Sequence, residues 1–341
     1  MVQIVSLLIS LGIIIVNGHA VCEPVFANPP GSLTTQPLSV SLTSNSTQQI
    51  YYTTDGSSPW LILDESFNNK DNKSFKYNVN EPIDIDQTTT IKAIAFCGTE
   101  SSPSLIGKFH YQFYTPPGNL PMNFTNSLGI EFSLVPPLEP NGQPFYISKY
   151  EITQSQWQSL MVSNPSRIVN SEGPVEQVNF NDVQNYISKL NELETNNRYS
   201  LPSKSEWIHA ANSGGSDRYH FGNEHSLLQY YSWYGLNSDQ PKTRGGKLPN
   251  GWGIYDFYGN VREWVQDDYP SHTGYRFTMN CSYSNRSTRA CFTQSFTLNP
   301  VSYYSPNLGF RLKAKSLYSK TESPFLPFQN QQIIPKFEFT E

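Results

Sequence analysis

The chain has 341 residues, a length that suits about two domains, and only 15% of them are charged. The formal net charge is −5 and no basic stripe runs along any segment, which argues against nucleic acid as a partner. Tyr and Phe are abundant, at 21 and 20 copies, which fits a core built from rings or a surface that takes sugars or peptides.

An apolar run from Ile4 to Val16 precedes Gly18-His19-Ala20, so residues 1–20 are read as a signal segment despite lacking a charged start. Val21 before Cys22 does not suit lipoprotein processing, and a secreted product beginning near Val21 is expected. No later stretch is apolar enough to span a bilayer. Four cysteines in an exported chain predict two disulfides. Three connectivities are open, and the domain layout favours Cys22 with Cys97 and Cys281 with Cys291. Asn-x-Ser/Thr sequons stand at Asn45, Asn72, Asn123, Asn280 and Asn285; they would carry glycans only in a eukaryotic secretory pathway.

Residues 21–113 alternate short β-prone runs with Gly, Pro, Asn and Ser. Leu38–Leu42, Gln49–Thr54 and Thr89–Phe96 read as strands, and Asp55-Gly56 as a hairpin turn. With no helical period, this is an all-β sandwich. FANPPGSL, IYYTTDGSSP and TTTIKAIAF are similar to the small β-sandwich at the C-terminus of chitobiases, an accessory module of secreted and surface proteins. Residues 114–127, with Pro-Pro-Gly, read as a linker.

Residues 128–315 form the second domain, with strands expected around Gly129–Leu134 and Gln143–Ser148. Three helices announce themselves by their caps. Thr153-x-x-Gln156 precedes Trp157, Leu160 and Met161. Asn179 precedes Asp182–Leu193, with Val183, Tyr186, Ile187 and Leu190 at helical spacing. Ser203-x-x-Glu206 opens a helix burying Trp207, Ala210 and Ala211, so Glu206 is read as a cap rather than a catalytic acid. Beyond Asn212 regular structure thins, apart from short strands before Cys281 and at Phe310-Arg311-Leu312. Residues 316–341 read as an extended tail.

The densest stretch is Pro249 to Tyr269, where six aromatics are set among Gly251, Gly253 and Gly259. It fits no single period and reads as an irregular, tightly packed core segment. PNGWGIYDFYGNVREW resembles the signature of the formylglycine-generating enzyme (sulfatase-modifying factor) family. FYISKYEIT, PVEQVNFNDVQNYISKLN, RYSLPSKSEWIHAA and NLGFRL match further blocks of that family in order. The resemblance implies an α+β fold: a C-type-lectin-like, loop-rich domain behind the sandwich.

It also implies chemistry. In that family a cysteine pair after Arg-Gly-Gly-Ser-[Trp/Tyr] binds copper and oxidises a substrate cysteine to formylglycine, thiolates being soft ligands for Cu(I). Here Ser282-Tyr283 matches Ser-[Trp/Tyr], but the two ligand positions fall on Asn285 and Ala290, which cannot hold Cu(I). Cys281 and Cys291 have the wrong spacing and are expected to form a disulfide. Arg244-Gly245-Gly246 is a decoy, lying ahead of the Asn260–Glu263 block. The family's calcium loop matches Gly259–Glu263 and implies ligands from Asn260, the Val261 carbonyl and Glu263; the rival reading pairs Glu263 with an Arg. A second calcium loop, at Tyr231–Gly235, has Ser232 where Asn is expected.

Other signatures are absent: no GxSxG, HExxH, phosphate loop or dinucleotide fingerprint. His220 and His225 lack Cys partners for zinc, and Asp267-Asp268 reads as a solvated face or a metal neighbour rather than an acid pair. The expected function is that of a secreted, non-catalytic relative that binds a peptide or glycan near Ser282, Trp264 and Tyr283. The alternatives are a formylglycine-generating oxidase and an extracellular structural protein.

Overall fold

A computed structural model describes residues 13–16, 19–44, 49–59, 74–97, 103–287 and 291–316. Most of the expected signal segment, the tail beyond Ser316, Ala290 and the sequons at Asn45 and Asn72 lie outside the described residues. Two short strands, β1 (Ile13–Val16) and β2 (His19–Cys22), pair antiparallel ahead of the first domain.

The N-terminal domain contains β3 (Phe26–Asn28), β4 (Ser32–Thr34), β5 (Leu38–Thr43), β6 (Gln49–Thr53), β7 (Phe75–Lys76), β8 (Ile83–Ile85), β9 (Thr89–Phe96) and β10 (Gly107–Phe113). They form a five-stranded sheet, β4-β10-β9-β6-β7, and a three-stranded one, β3-β5-β8. Period-two patterning is the reason: in β5, Val40 and Leu42 point inward while Ser39 and Thr43 face water. The facing residues Val40, Leu42, Ile83, Ile91, Phe109 and Tyr111 make one core. Cys22 and Cys97 are joined by a disulfide across 75 residues. A loop of that length is worth about 4 kcal/mol on the chain-entropy model. The Asp55 carboxylate accepts the Ser57 N–H at 3.0 Å, which makes it part of the turn.

The second domain holds β11 (Asn123–Thr125), β12 (Glu131–Val135), β13 (Phe145–Ser148), α1 (Gln154–Gln158), α2 (Phe180–Leu193), β14 (Asn197–Ser200), α3 (Lys204–Asn212), α4 (Leu228–Tyr231), β15 (Arg262–Asp268), β16 (Tyr275–Met279), β17 (Phe296–Pro300), β18 (Leu308–Phe310) and β19 (Lys313–Ser316). One sheet runs β11-β12-β13-β19-β14, the other β17-β16-β15-β18. β11 is thus the edge of a sheet within the stretch expected as linker. All three expected caps are in place: the capping boxes at Thr153 and Ser203, and the N-cap Asn179, which the structure completes as a capping box with Asp182. Each satisfies backbone N–H groups that the first helical turn leaves orphaned. α1 is shorter than expected and ends at Gln158, before Leu160 and Met161.

The two domains touch along β10. Lys108 on that strand pairs with Asp217, and the rings of Phe26 and Tyr230 meet at 5.1 Å. A Cβ on Gly31 would sit 2.8 Å from the Gly251 Cα, so this close approach requires glycine. Of the sequon asparagines, Asn280 is buried, at 4% exposed, and its amide donates to the Phe257 carbonyl at 2.5 Å.

Candidate functional site

The stretch Pro249–Tyr269 builds the centre of the second domain. Asn250 starts it: its side-chain oxygen Oδ1 accepts from the Trp252 and Ile254 N–H groups, and its side-chain amide donates to the Ala210 carbonyl at the end of α3. A Cβ on Gly259 would lie 2.2 Å from the Trp233 carbonyl oxygen, so no other residue fits. The last third is not irregular, as the sequence suggests, but is strand β15, flanked by β16 and by parallel β18.

β15 places Glu263 against Arg311. Both are shut off from water, at 1% and 0% exposure. The Arg311 Nε donates to the two Glu263 oxygens at 2.9 and 2.7 Å, and Nη2 donates to Oε1 at 2.7 Å. Nη1 and Nη2 also donate to the carbonyls of Ser148 and Tyr255, and the guanidinium lies 4.0 Å above the Phe257 ring. Trp207 donates its indole N–H to Glu263 Oε2 at 2.6 Å. A fork this fully used is the geometry in which Arg and a carboxylate bind best.

Two further buried carboxylates share this centre. Glu151 accepts from the Asn260 amide at 2.6 Å and the Val261 N–H at 2.9 Å. Burial pushes its pKa well up, helped by Asp256 and Glu263. Asp256 accepts from the Gly245 N–H at 2.9 Å, while its second oxygen is buried without a hydrogen-bond partner among the described residues. Burial raises its pKa to about 6, against the Gly245 bond and the Arg311 charge, which lower it. Arg311, Glu151 and Asp256 have no role in the sequence reading. The available signal was a lone charge in an apolar run, Phe310-Arg311-Leu312 and Tyr150-Glu151-Ile152.

The side chains expected to hold calcium, Asn260 and Glu263, are engaged by protein partners in this arrangement. The Glu263 oxygens are already held by a guanidinium. The Asn260 side-chain oxygen accepts the Lys242 N–H at 2.8 Å, and its amide faces Glu151 and the Lys242 carbonyl. Ser232, in the second expected loop, donates to the Tyr258 carbonyl. Among the described residues no group of three His, Cys, Asp or Glu side chains is placed to hold a metal.

The copper positions differ as well. Cys281 and Cys291 form a disulfide with a Cα–Cα distance of 4.9 Å, and both are buried. Asn285, at the first ligand position, closes a turn by accepting from the Ser282 N–H and hydroxyl, each at 2.9 Å. No thiolate is left in the domain, so the residues present do not fit Cu(I).

Two of the three expected pocket residues are corrected. Trp264 is 0% exposed and donates its indole N–H to the Val178 carbonyl at 3.0 Å; it belongs to the core. Ser282 is also 0% exposed. Tyr283 alone reaches the surface, half-buried, anchored by its N–H to the Asn260 carbonyl. Elsewhere the acidic candidates have structural partners. Asp267 accepts the Lys204 N–H at the start of α3, and Asp268 pairs with Arg276. Glu206 accepts from Ser203 and Lys313. Arg244 of the decoy motif pairs with Glu172 at 3.0 Å. His220 is buried against the Tyr258 hydroxyl at 3.1 Å, and burial lowers its pKa to about 3, so it is neutral.

Comparison with known proteins bears on the family and the fold. Residues 40–109 match the Fn3-associated domain model. A chaperone protein, LppX, of Paenibacillus barcinonensis is 31% identical over 171 residues, covering 35% of this chain and 61% of that protein. Among solved structures, PvdO from Pseudomonas aeruginosa superposes with a TM-score of 0.50 at 17% identity, over 59% of this chain and 100% of that one, which speaks for the fold. Treponema denticola variable protein 1 aligns at 23% identity and a TM-score of 0.49, over 57% of this chain and 99% of that one. Residues 107–316 match the model of the sulfatase-modifying factor enzyme 1-like domain, more than half of the sequence, and with its block order and lectin-like fold the chain belongs to that family.

Proposed function

We propose that the chain is a secreted, non-catalytic member of its family that acts as a peptide- or glycan-binding module. The observation that carries this reading is the buried Cys281–Cys291 disulfide beside an Asn285 that closes a turn where a thiolate would be needed. The scaffold is retained, and with it a rim of ordered loops of the kind that carries binding function. Export is supported by the two disulfides, which persist in oxidising compartments. Among the described residues no helix is long and apolar enough to cross a membrane.

A relative whose name is that of a chaperone favours a second reading, in which the ligand is a polypeptide. Because the match spans 61% of that relative's length, its activity is carried over here only as a proposal.

The test is to incubate the full chain, oxidised and reduced, with Cu(I), oxygen and a sulfatase-motif peptide. Mass spectrometry is expected to find the peptide cysteine unchanged in both samples. Conversion of that cysteine to formylglycine would make the protein an oxidase.

A further inference from the structure

A cleft of about 440 Å³ opens beside the domain junction, lined by Ser216, Asp217, Arg218, Asn223, Phe292 and Gln294. Its main chain is fixed at Arg218. The Arg218 N–H donates to the Asn223 side chain at 3.0 Å, and its carbonyl accepts from the Thr293 N–H and hydroxyl at 3.2 and 2.8 Å. The guanidinium lies 4.7 Å over the Phe292 ring, which holds the fork in one orientation.

No carboxylate pairs with this cation among the described residues. Its neighbour Asp217 is already neutralised by Lys108 and accepts from the Asn223 amide at 3.1 Å. The local balance of Arg218, Lys108 and Asp217 is therefore +1, on a chain of net charge −5. Ser216 and Gln294, both exposed polar residues, line the same cleft, while Phe292 is the one apolar residue among its lining.

We propose that this cleft binds an acidic sugar, a hexuronate unit, with its carboxylate on Arg218 and its hydroxyls on Ser216, Asn223 and Gln294. A planar fork suits a carboxylate through two parallel hydrogen bonds. Polar side chains on most of the wall match a ligand with a hydroxyl on most of its carbons. A peptide terminus would share the carboxylate but would find no apolar pocket for its last side chain. The inference rests on the binding-module reading and names the ligand class for it.

The experiment is calorimetric titration of the full chain with glucuronate, glucose and N-acetyl-alanyl-alanine at low salt. Glucuronate is expected to bind and glucose not to bind. Arg218→Gln is expected to weaken glucuronate at least tenfold, and Gln294→Ala is expected to weaken it less. Both positions are exposed, so the variants retain the fold, which the unfolding curve verifies. Absence of glucuronate binding, equal binding by glucose, or unchanged affinity in Arg218→Gln overturns the proposal. Tighter binding of the acetylated dipeptide than of glucuronate overturns it in favour of a peptide carboxylate. These outcomes are separate from the oxidase assay. Formylglycine production removes the non-catalytic reading whatever the sugar does, and a silent cleft leaves the disulfide argument untouched.

Discussion

Replacing Arg311 by alanine is expected to destabilise the second domain by about 3–5 kcal/mol, the usual loss when one partner of a buried ion pair is removed. That is a large share of the roughly 5–15 kcal/mol that holds a domain folded. Three losses combine: Glu263 is left buried without its partner, the Ser148 and Tyr255 carbonyls lose donors, and the Phe257 face is uncovered. Glu151 and Asp256 also lose the cation that lowers their pKa values. Urea unfolding followed by tryptophan fluorescence measures the effect. The control is Arg311→Met combined with Glu263→Gln, which removes both charges and leaves the amide oxygen to accept from Trp207. The double variant is expected to be more stable than Arg311→Met alone. Additive losses would show that the two side chains are not coupled.

The second large effect concerns pH. Asp256 has its folded pKa raised from 3.8 to about 6, chiefly by burial. The folded protein therefore holds a proton that the unfolded chain has released. For such a group the stabilising contribution is complete below pH 4 and disappears as pH rises through about 6. A shift of about two units corresponds to roughly 3 kcal/mol. Asp256→Asn is expected to abolish this slope: similar to the parent near pH 4.5, and more stable by up to about 2 kcal/mol near pH 8, the part of the shift that titrates over that range. The substitution suits the backbone, because residue 256 has φ of +62°, a region Asn tolerates. The amide oxygen can still accept the Gly245 N–H. Glu151, relieved of the Asp256 charge, would ionise more readily and add in the same direction. Thermal unfolding from pH 4.5 to 8 reads the difference. Parallel curves for the two proteins would refute the assignment.

What was legible in the sequence was local. A capping box needs two side chains three residues apart, and β5 needs alternation over six residues, so both are written in short windows. β15 was not legible. The register shifts between Trp264 and Asp268, which breaks the alternation, and its parallel partner β18 lies far along the chain. The buried charge centre was hidden for the same reason. Arg311 reaches Glu263 across 48 residues and Ser148 across 163, and a window cannot distinguish a lone Arg in a core from one at the surface. The rival reading, in which Glu263 pairs with an Arg, names the partner type that the fold supplies. Trp264 and Ser282 lie in blocks that match the family, yet their exposure depends on contacts such as the Val178 carbonyl, which no motif encodes. The cleft at Arg218 joins two loops some seventy residues apart and carries no motif at all.

The retained scaffold and the sealed sulfur pair are the centre of the account, and the oxidation state of Cys281 and Cys291 tests it most directly. The unreduced chain is to be unfolded in denaturant with a thiol-alkylating reagent, digested, and mapped by mass spectrometry. A disulfide between them leaves no alkylation at either position and yields a single cross-linked peptide joining them. Alkylation of both cysteines without prior reduction, with copper taken up by the native protein, would contradict it.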